Sequence, residues 1–156
     1  VGYTNAGKSM LFSRLSGEDT LVSDQVFATL DTLIRSIHIS GAPVLVSDTV
    51  GFIRKLPHEL VTAFRATLEE VVRADLILHV VDVSDIDYGD KMVAVLEVLR
   101  EIGAGDHPCL TVYSKADLTD IPPIAKADEV LISAKTGKGI AQLRDLISAR
   151  IPTAYA

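Results

Sequence analysis

Eight residues near the start of the chain, Gly2-Tyr3-Thr4-Asn5-Ala6-Gly7-Lys8-Ser9, have the spacing of a phosphate loop: glycine first, Gly-Lys sixth and seventh, a hydroxyl eighth. Each residue type has a chemical reason. The two glycines let the backbone curl so that consecutive N–H groups, those of Tyr3 to Ala6 among them, turn inward toward phosphate oxygens. The cradle then sits at the positive end of the helix that follows. Lys8 brings a compact positive charge to the outer phosphates, and the Ser9 hydroxyl is placed to ligate magnesium. Met10 adds a backbone N–H. The competing reading is a glycine-rich turn that happens to precede a helix.

A phosphate loop does not choose a base, so the discriminating residues must lie downstream. Ser114-Lys115-Ala116-Asp117 follows a strand-like run and is similar to the Asn-Lys-x-Asp signature of GTP-binding proteins. There Asp117 would accept hydrogen bonds from the N1–H and N2 amino groups of guanine, a donor pair that adenine lacks. The Lys115 stem would lie along the base. Ser133-Ala134-Lys135, after the next strand, matches a turn whose backbone N–H meets guanine O6. Either segment alone reads as a surface turn; in order and at strand ends they read as a pair. Asp48-Thr49-Val50-Gly51 has the Asp-x-x-Gly form, in which Asp48 holds magnesium and the Gly51 N–H senses the γ-phosphate. Thr29 is the candidate for the other switch residue, reaching magnesium and γ-phosphate, with Thr32 as its rival.

The elements that would position these residues follow from periodicity. The chain has 156 residues with 48% apolar, 23% charged and 5% aromatic content, the profile of one globular domain able to bury a core without disulfides. Its one cysteine, Cys109, suits a reducing cytoplasm, and a net charge of −6 argues against whole-chain steering onto nucleic acid. DNA is not expected as a partner. The longest apolar run, Leu76 to Val83, is too short to span a bilayer. Helical and strand-like patterns alternate, which predicts a sheet with crossover helices. Helices are expected over Lys8–Leu15, from Pro57 to Arg73, over Lys91–Ile102 and over Ile140–Ile151. Strands are expected over Leu33–Ile39, from Val44 to Ser47, over Leu76–Val81, Cys109–Tyr113 and Val130–Ile132; the first two form a hairpin around a four-residue turn, Ser40 to Pro43. Residues 18–31 read as loop. His79, inside an apolar strand, reads as a hydrogen-bonded core residue, and Cys109 as a packed one.

Beyond the separate motifs, Gly2 to Ser9, Phe27-Ala28-Thr29-Leu30-Asp31, the segment from Asp48 to Arg54, Leu56-Pro57-His58-Glu59-Leu60 and the segment from Phe64 to Glu70 together resemble the GTPase domain of the HflX family over essentially the whole chain. The resemblance implies an α/β fold, a P-loop NTPase (Ras-like G domain) with a mostly parallel sheet, one antiparallel hairpin strand and helices on both faces. It implies one GTP-binding domain over residues 1–156, a fragment of a longer, cytoplasmic, ribosome-associated GTPase. Such proteins bind the large ribosomal subunit and are linked to rescue or splitting of stalled ribosomes. Carried over residue by residue, it assigns Asn5, Gly7, Lys8 and Ser9 to phosphate and magnesium, Thr29 and Asp48 to the switches, and Ser114, Lys115, Asp117, Ser133 and Ala134 to guanine.

Three departures stand out. Met10 replaces a threonine, Thr32-Leu33-Ile34 precede Arg35 where the family continues Pro-Thr-Thr-Arg, and Ser114 replaces an asparagine whose amide bridges base and phosphate loop. A serine hydroxyl is too short for that bridge, so weaker GTP binding with retained guanine choice is expected. Phe52 stands where many small GTPases carry a water-orienting glutamine, so catalysis would rest on Lys8, Thr29, the Gly51 N–H, magnesium, and a potassium ion at Asn5. Slow intrinsic hydrolysis follows; the alternative is a guanine-nucleotide-sensing module with little or no hydrolysis. Arg54, Lys55, His58 and Arg65 form a basic group that is either a solvated face or a local RNA contact. The chain begins Val1-Gly2, so the strand leading into the phosphate loop is expected to be truncated and stability to be marginal.

Overall fold

The computed structural model describes residues 1–3, 6–16, 33–48, 69 and 71–151. The phosphate loop runs into helix α1 (Lys8–Ser16), whose first turn closes as the Leu11 N–H donates to the Gly7 carbonyl at 3.0 Å. Leu11, Phe12 and Leu15 share one face of α1 and are buried. Strands β1 (Leu33–Ile39) and β2 (Ala42–Asp48) form an antiparallel hairpin. Its turn is shorter than the four residues expected. Ser40 and Gly41 alone make it, both left-handed at φ 52° and 81°, the two-residue geometry that matches the twist of the flanking strands. Pro43 is thereby drawn into β2 opposite His38. One pair in from the closing Ile39–Ala42 pair, the ladder alternation puts Pro43 where no N–H is required.

A second sheet is parallel, in the order β3 (Ile77–Asp82), β4 (Cys109–Ser114), β5 (Glu129–Leu131). Alternation of side chains sends Leu78 and Val80, Leu110 and Val112, and Val130 to one face, where they meet α1, the hairpin residues Ile37 and Ile39, and Leu143 and Ile147 of helix α3 (Ile140–Arg150). The opposite face carries Ile77 and Cys109 against Val95 and Leu99 of helix α2 (Tyr88–Glu101), and Val81 and Tyr113 beside Tyr88 and Met92. Helices therefore cover both faces, as the fold class requires. Residues 1–3 run parallel beside β3: the Val1 N–H donates to Leu78 O and the Val80 N–H to Val1 O, each at 2.8 Å, with Gly2 bridged to Val80.

Helix α2 starts at Tyr88, three residues before the expected Lys91, because the first turn tolerates Gly89, which the periodicity argument discounts. It ends as Gly103, at φ 85°, turns the chain so that the Ala104 N–H reaches Leu99 O at 2.7 Å. Of the helix expected from Pro57 to Arg73, positions 69 and 71–73 are helical, and Val71 packs with Ile77, Val95 and Leu99; the remainder, like 18–31, lies outside the described residues. Helix α3 and β5 end one residue before their expected limits at Ile151 and Ile132.

Candidate nucleotide-binding site

The loop from Gly2 to Lys8 is built around a close approach. A Cβ on Gly2 would sit 2.6 Å from the Val80 carbonyl oxygen and 3.4 Å from Lys8 Cδ, so only glycine lets the chain pass between β3 and the lysine stem. The Ala6 N–H turns back to Tyr3 O at 3.1 Å, and Gly7 is left-handed at φ 96°. Ser9 occupies the first turn of α1, and Met10 is exposed on its outer side. Thr4, Asn5, Thr29, Thr32, Gly51, Phe52, Arg54, Lys55, His58 and Arg65, together with the Asp48 side chain, lie outside the described residues. Among the described residues no group of three or more His, Cys, Asp and Glu side chains could hold a metal ion.

The base-reading segments leave the C-terminal ends of β4 and β5 and are joined to one another. Lys115 is left-handed at φ 59° and opens a 3₁₀ turn, Ala116–Leu118, which places the exposed Asp117 beside the next loop. The Ser133 hydroxyl, 1% exposed, donates to Asp117 Oδ1 at 2.8 Å and accepts the Thr136 N–H at 3.1 Å. The loop closes on itself through Gly137 N–H to Ser133 O at 2.8 Å and Ser133 N–H to Lys138 O at 2.9 Å. Asp117 and the Ser133-Ala134-Lys135 turn are thus one unit, held by a buried hydroxyl.

Ser114, expected at the base, is placed under the phosphate loop. Its hydroxyl is buried and lies 2.5 Å from Ala6 O and 3.1 Å from Val81 O, with one proton to share between the two carbonyls. The reach is possible because Gly7 passes close: a Cβ there would sit 3.6 Å from Ser114 Oγ. The short side chain makes the loop half of the bridge that an amide would complete.

Several charged groups escaped the motif reading. Asp82, at the end of β3, accepts Lys115 Nζ at 2.9 Å on Oδ2 and the Ser84 N–H at 2.9 Å on Oδ1, fixing the lysine that would lie along a base. Asp85 pairs with Lys91, and this hydrogen bond, first among its causes, lowers the Asp85 carboxyl below its ordinary range. Lys91 Nζ also lies 4.9 Å from the centre of the Tyr3 ring, joining α2 to the phosphate loop. Arg14 reaches the base turn from α1, donating through Nε to Ala134 O at 2.6 Å and through Nη2 to Lys135 O at 3.0 Å. The one sequence signal among these was a carboxylate ending an apolar strand. His79 is buried as expected, and desolvation, reinforced by the positive amino terminus, lowers its pKa to about 4. Its ring borders a cavity of about 160 Å³ between the phosphate-loop residues Tyr3 and Ala6 and the α2 residues Tyr88 and Lys91.

A phosphate loop tied to an Asp117 turn and a Ser133 turn is the arrangement expected of a guanine-nucleotide domain, and the family model for 50S ribosome-binding GTPases matches residues 1–115. The chain belongs to that family. Within it, this is a G domain of the HflX kind. GTPase HflX of Caldanaerobacter subterraneus subsp. tengcongensis is 50% identical over 148 residues, covering 94% of this chain and 35% of the relative. GTPase HflX of Escherichia coli is 46% identical over 159 residues, covering 97% of this chain and 37% of the relative. The chain therefore spans little more than a third of the length of the HflX relatives it matches. Among solved structures, a GTP-binding protein from the archaeon Sulfolobus solfataricus in complex with GDP superposes with a TM-score of 0.75 at 30% identity, covering 95% of this chain and 50% of that one. The fold is that of the P-loop GTPases, as expected. No helix among the described residues is long and apolar enough to cross a membrane.

Proposed function

We propose that this HflX-type G domain binds GTP and GDP, hydrolyses GTP, and serves as a nucleotide-dependent switch on the large ribosomal subunit in the cytoplasm. The observation that carries the reading is the linkage of base and phosphate segments: Ser133 Oγ to Asp117 Oδ1 at one end, and Ser114 Oγ to Ala6 O at the other. Asp117 takes the guanine N1–H and N2 donors, the Ala134 and Lys135 N–H groups take O6, and Lys115, held by Asp82, lies along the ring. The N–H groups from Gly2 to Met10 and the Lys8 ammonium take the phosphates. The glycine cradle and the position of Ser9 fit a magnesium–phosphate group. Ser9, Thr29 and Asp48 would hold the metal, which supplies charge neutralisation at the phosphates when bound. Lys8, Thr29, the Gly51 N–H and a potassium ion at Asn5 form the catalytic set in this reading, with no water-orienting glutamine because Phe52 follows Gly51. The ribosome as partner is supported by the family description and by the HflX relatives.

Titration with labelled GTP, GDP and ATP in magnesium, followed by single-turnover hydrolysis with and without ribosomes, tests the reading. Guanine selectivity, slow turnover alone and faster turnover with 50S subunits are expected, with a further loss of rate when sodium replaces potassium. Equal affinity for ATP would remove the base assignment. Selective GDP binding with no turnover in either condition would make the domain a nucleotide sensor, a reading favoured by the engagement of Ser114 with the backbone carbonyls of Ala6 and Val81.

A further inference from the structure

Arg14 stands in the last turn of α1, six residues beyond Lys8, and its side chain is exposed to solvent. Its planar fork spans two successive carbonyls of the turn that follows β5, Ala134 O at 2.6 Å and Lys135 O at 3.0 Å. A Cβ on Gly137 would lie 3.8 Å from its Nη2, an ordinary van der Waals distance, so the guanidinium lies directly alongside this turn. The contact joins positions 120 and 121 residues apart and no motif contains it.

In a planar trans peptide the carbonyl and the N–H point in opposite directions. Anchoring Ala134 O on Arg14 therefore aims the Lys135 N–H away from α1. Anchoring Lys135 O does the same for the Thr136 N–H, which donates to Ser133 Oγ at 3.1 Å; that hydroxyl donates in turn to Asp117 Oδ1 at 2.8 Å. A chain of hydrogen bonds thus runs from α1 to the base-reading carboxylate, each link polarising the next, with a full positive charge at its start. Because α1 also opens on the phosphate loop and is short and regular, its position is shared by both ends of a bound nucleotide.

We propose that Arg14 is a positioning residue for guanine recognition: without touching the nucleotide, it orients and polarises the Lys135 N–H of the Ser133-Ala134-Lys135 turn toward guanine O6 and, through Thr136 and Ser133, steadies Asp117. The inference rests on the reading of that turn given under Proposed function.

The test compares GDP with 6-thioguanosine diphosphate, in which a weak sulfur acceptor replaces O6 while N1–H and the N2 amino group remain. The chain as it stands is expected to prefer GDP by about ten-fold, the order of one good hydrogen bond. Arg14→Ala is expected to weaken GDP about ten-fold and the thio analogue by less than about three-fold, collapsing the preference; Arg14→Lys, with charge but no fork, falls between. Circular dichroism and thermal unfolding confirm that each variant is folded, and the lysine variant carries the test if alanine at 14 destabilises the chain. A loss equal for both nucleotides, or no loss, overturns the positioning role and leaves the turn assignment standing. No preference for GDP in the unsubstituted chain overturns the assignment and the proposal together.

Discussion

The loop that carries Ser133 closes at Gly139, where one methyl group should have a large effect. Gly139 is left-handed at φ 76°, ψ −5°, and a Cβ there would stand 2.2 Å from Leu131 O, 3.0 Å from Ile132 Cγ2 and 3.2 Å from Ile132 Cα. The nearest atom is a strand carbonyl with no rotamer to change, so β5 or the loop must move. Left-handed alanine costs about 1–2 kcal/mol and relief of such a clash about 1–3 kcal/mol. The reduced freedom of the unfolded chain returns about 0.4–1 kcal/mol. Gly139→Ala should therefore destabilise by about 1–5 kcal/mol, a fall in Tm of roughly 2–20 °C for a domain of this size. Gly89→Ala is the matched control. Gly89 is exposed, lies inside α2, and a Cβ there would meet nothing within 4 Å, so the same methyl should stabilise by about 0.4–1 kcal/mol. Urea unfolding followed by circular dichroism gives both values, provided the m-values agree. GDP affinity of Gly139→Ala should fall as well, because Ser133 N–H to Lys138 O and Leu143 N–H to Gly139 O close on that residue. Changes of the same sign, or a loss below about 0.5 kcal/mol at Gly139, would refute the reasoning.

Ser133→Ala removes the hydroxyl shared by Asp117 and Thr136, so guanine affinity should drop about ten-fold or more with little effect on binding of inorganic pyrophosphate, as calorimetry with both ligands would show. Ser114→Ala leaves a buried carbonyl without its donor and should cost about 1–2 kcal/mol of stability in chemical unfolding; an unchanged midpoint would mean that the contact with Ala6 contributes nothing net. His79, with a pKa of about 4 folded and 6.5 unfolded, is neutral in the fold and binds a proton on unfolding. Its contribution is complete above pH 6.5 and is lost as pH falls toward 4, about 2 kcal/mol between pH 7 and 5. His79→Leu should flatten that part of the stability profile by a comparable amount, whatever its effect at neutral pH.

Most of the scaffold could be read from the chain because its signals are local. The run from Leu76 to Val81 is apolar on both sides, and β3 is indeed covered on both faces. The phosphate loop, the Asp117 segment and the Ser133 turn each announce themselves within a few residues, and the latter two stand where β4 and β5 end. What was misplaced was also local but decided by pairing. Pro43 looks like turn chemistry in isolation, yet it enters β2 because the register of β1 with β2 leaves room for a residue without an N–H. Gly89 looks like a break, yet the first turn of α2 accepts it.

By itself the sequence determined which residue types are present to meet phosphate, magnesium and guanine, in what order along the chain, and that the strand from Leu76 to Val81 is buried. The tertiary structure alone decided which of those residues hold one another. Ser114 turns onto Ala6, Asp82 fixes Lys115, and Arg14 grips the turn beside Ser133, across separations of 108, 33 and 120 residues. Periodicity and propensity act over one or two turns of chain, whereas a hydrogen bond responds to positions within about 3 Å in space. Only the parallel stacking of β3, β4 and β5, which brings their C-terminal ends to one edge, puts those donors and acceptors within reach.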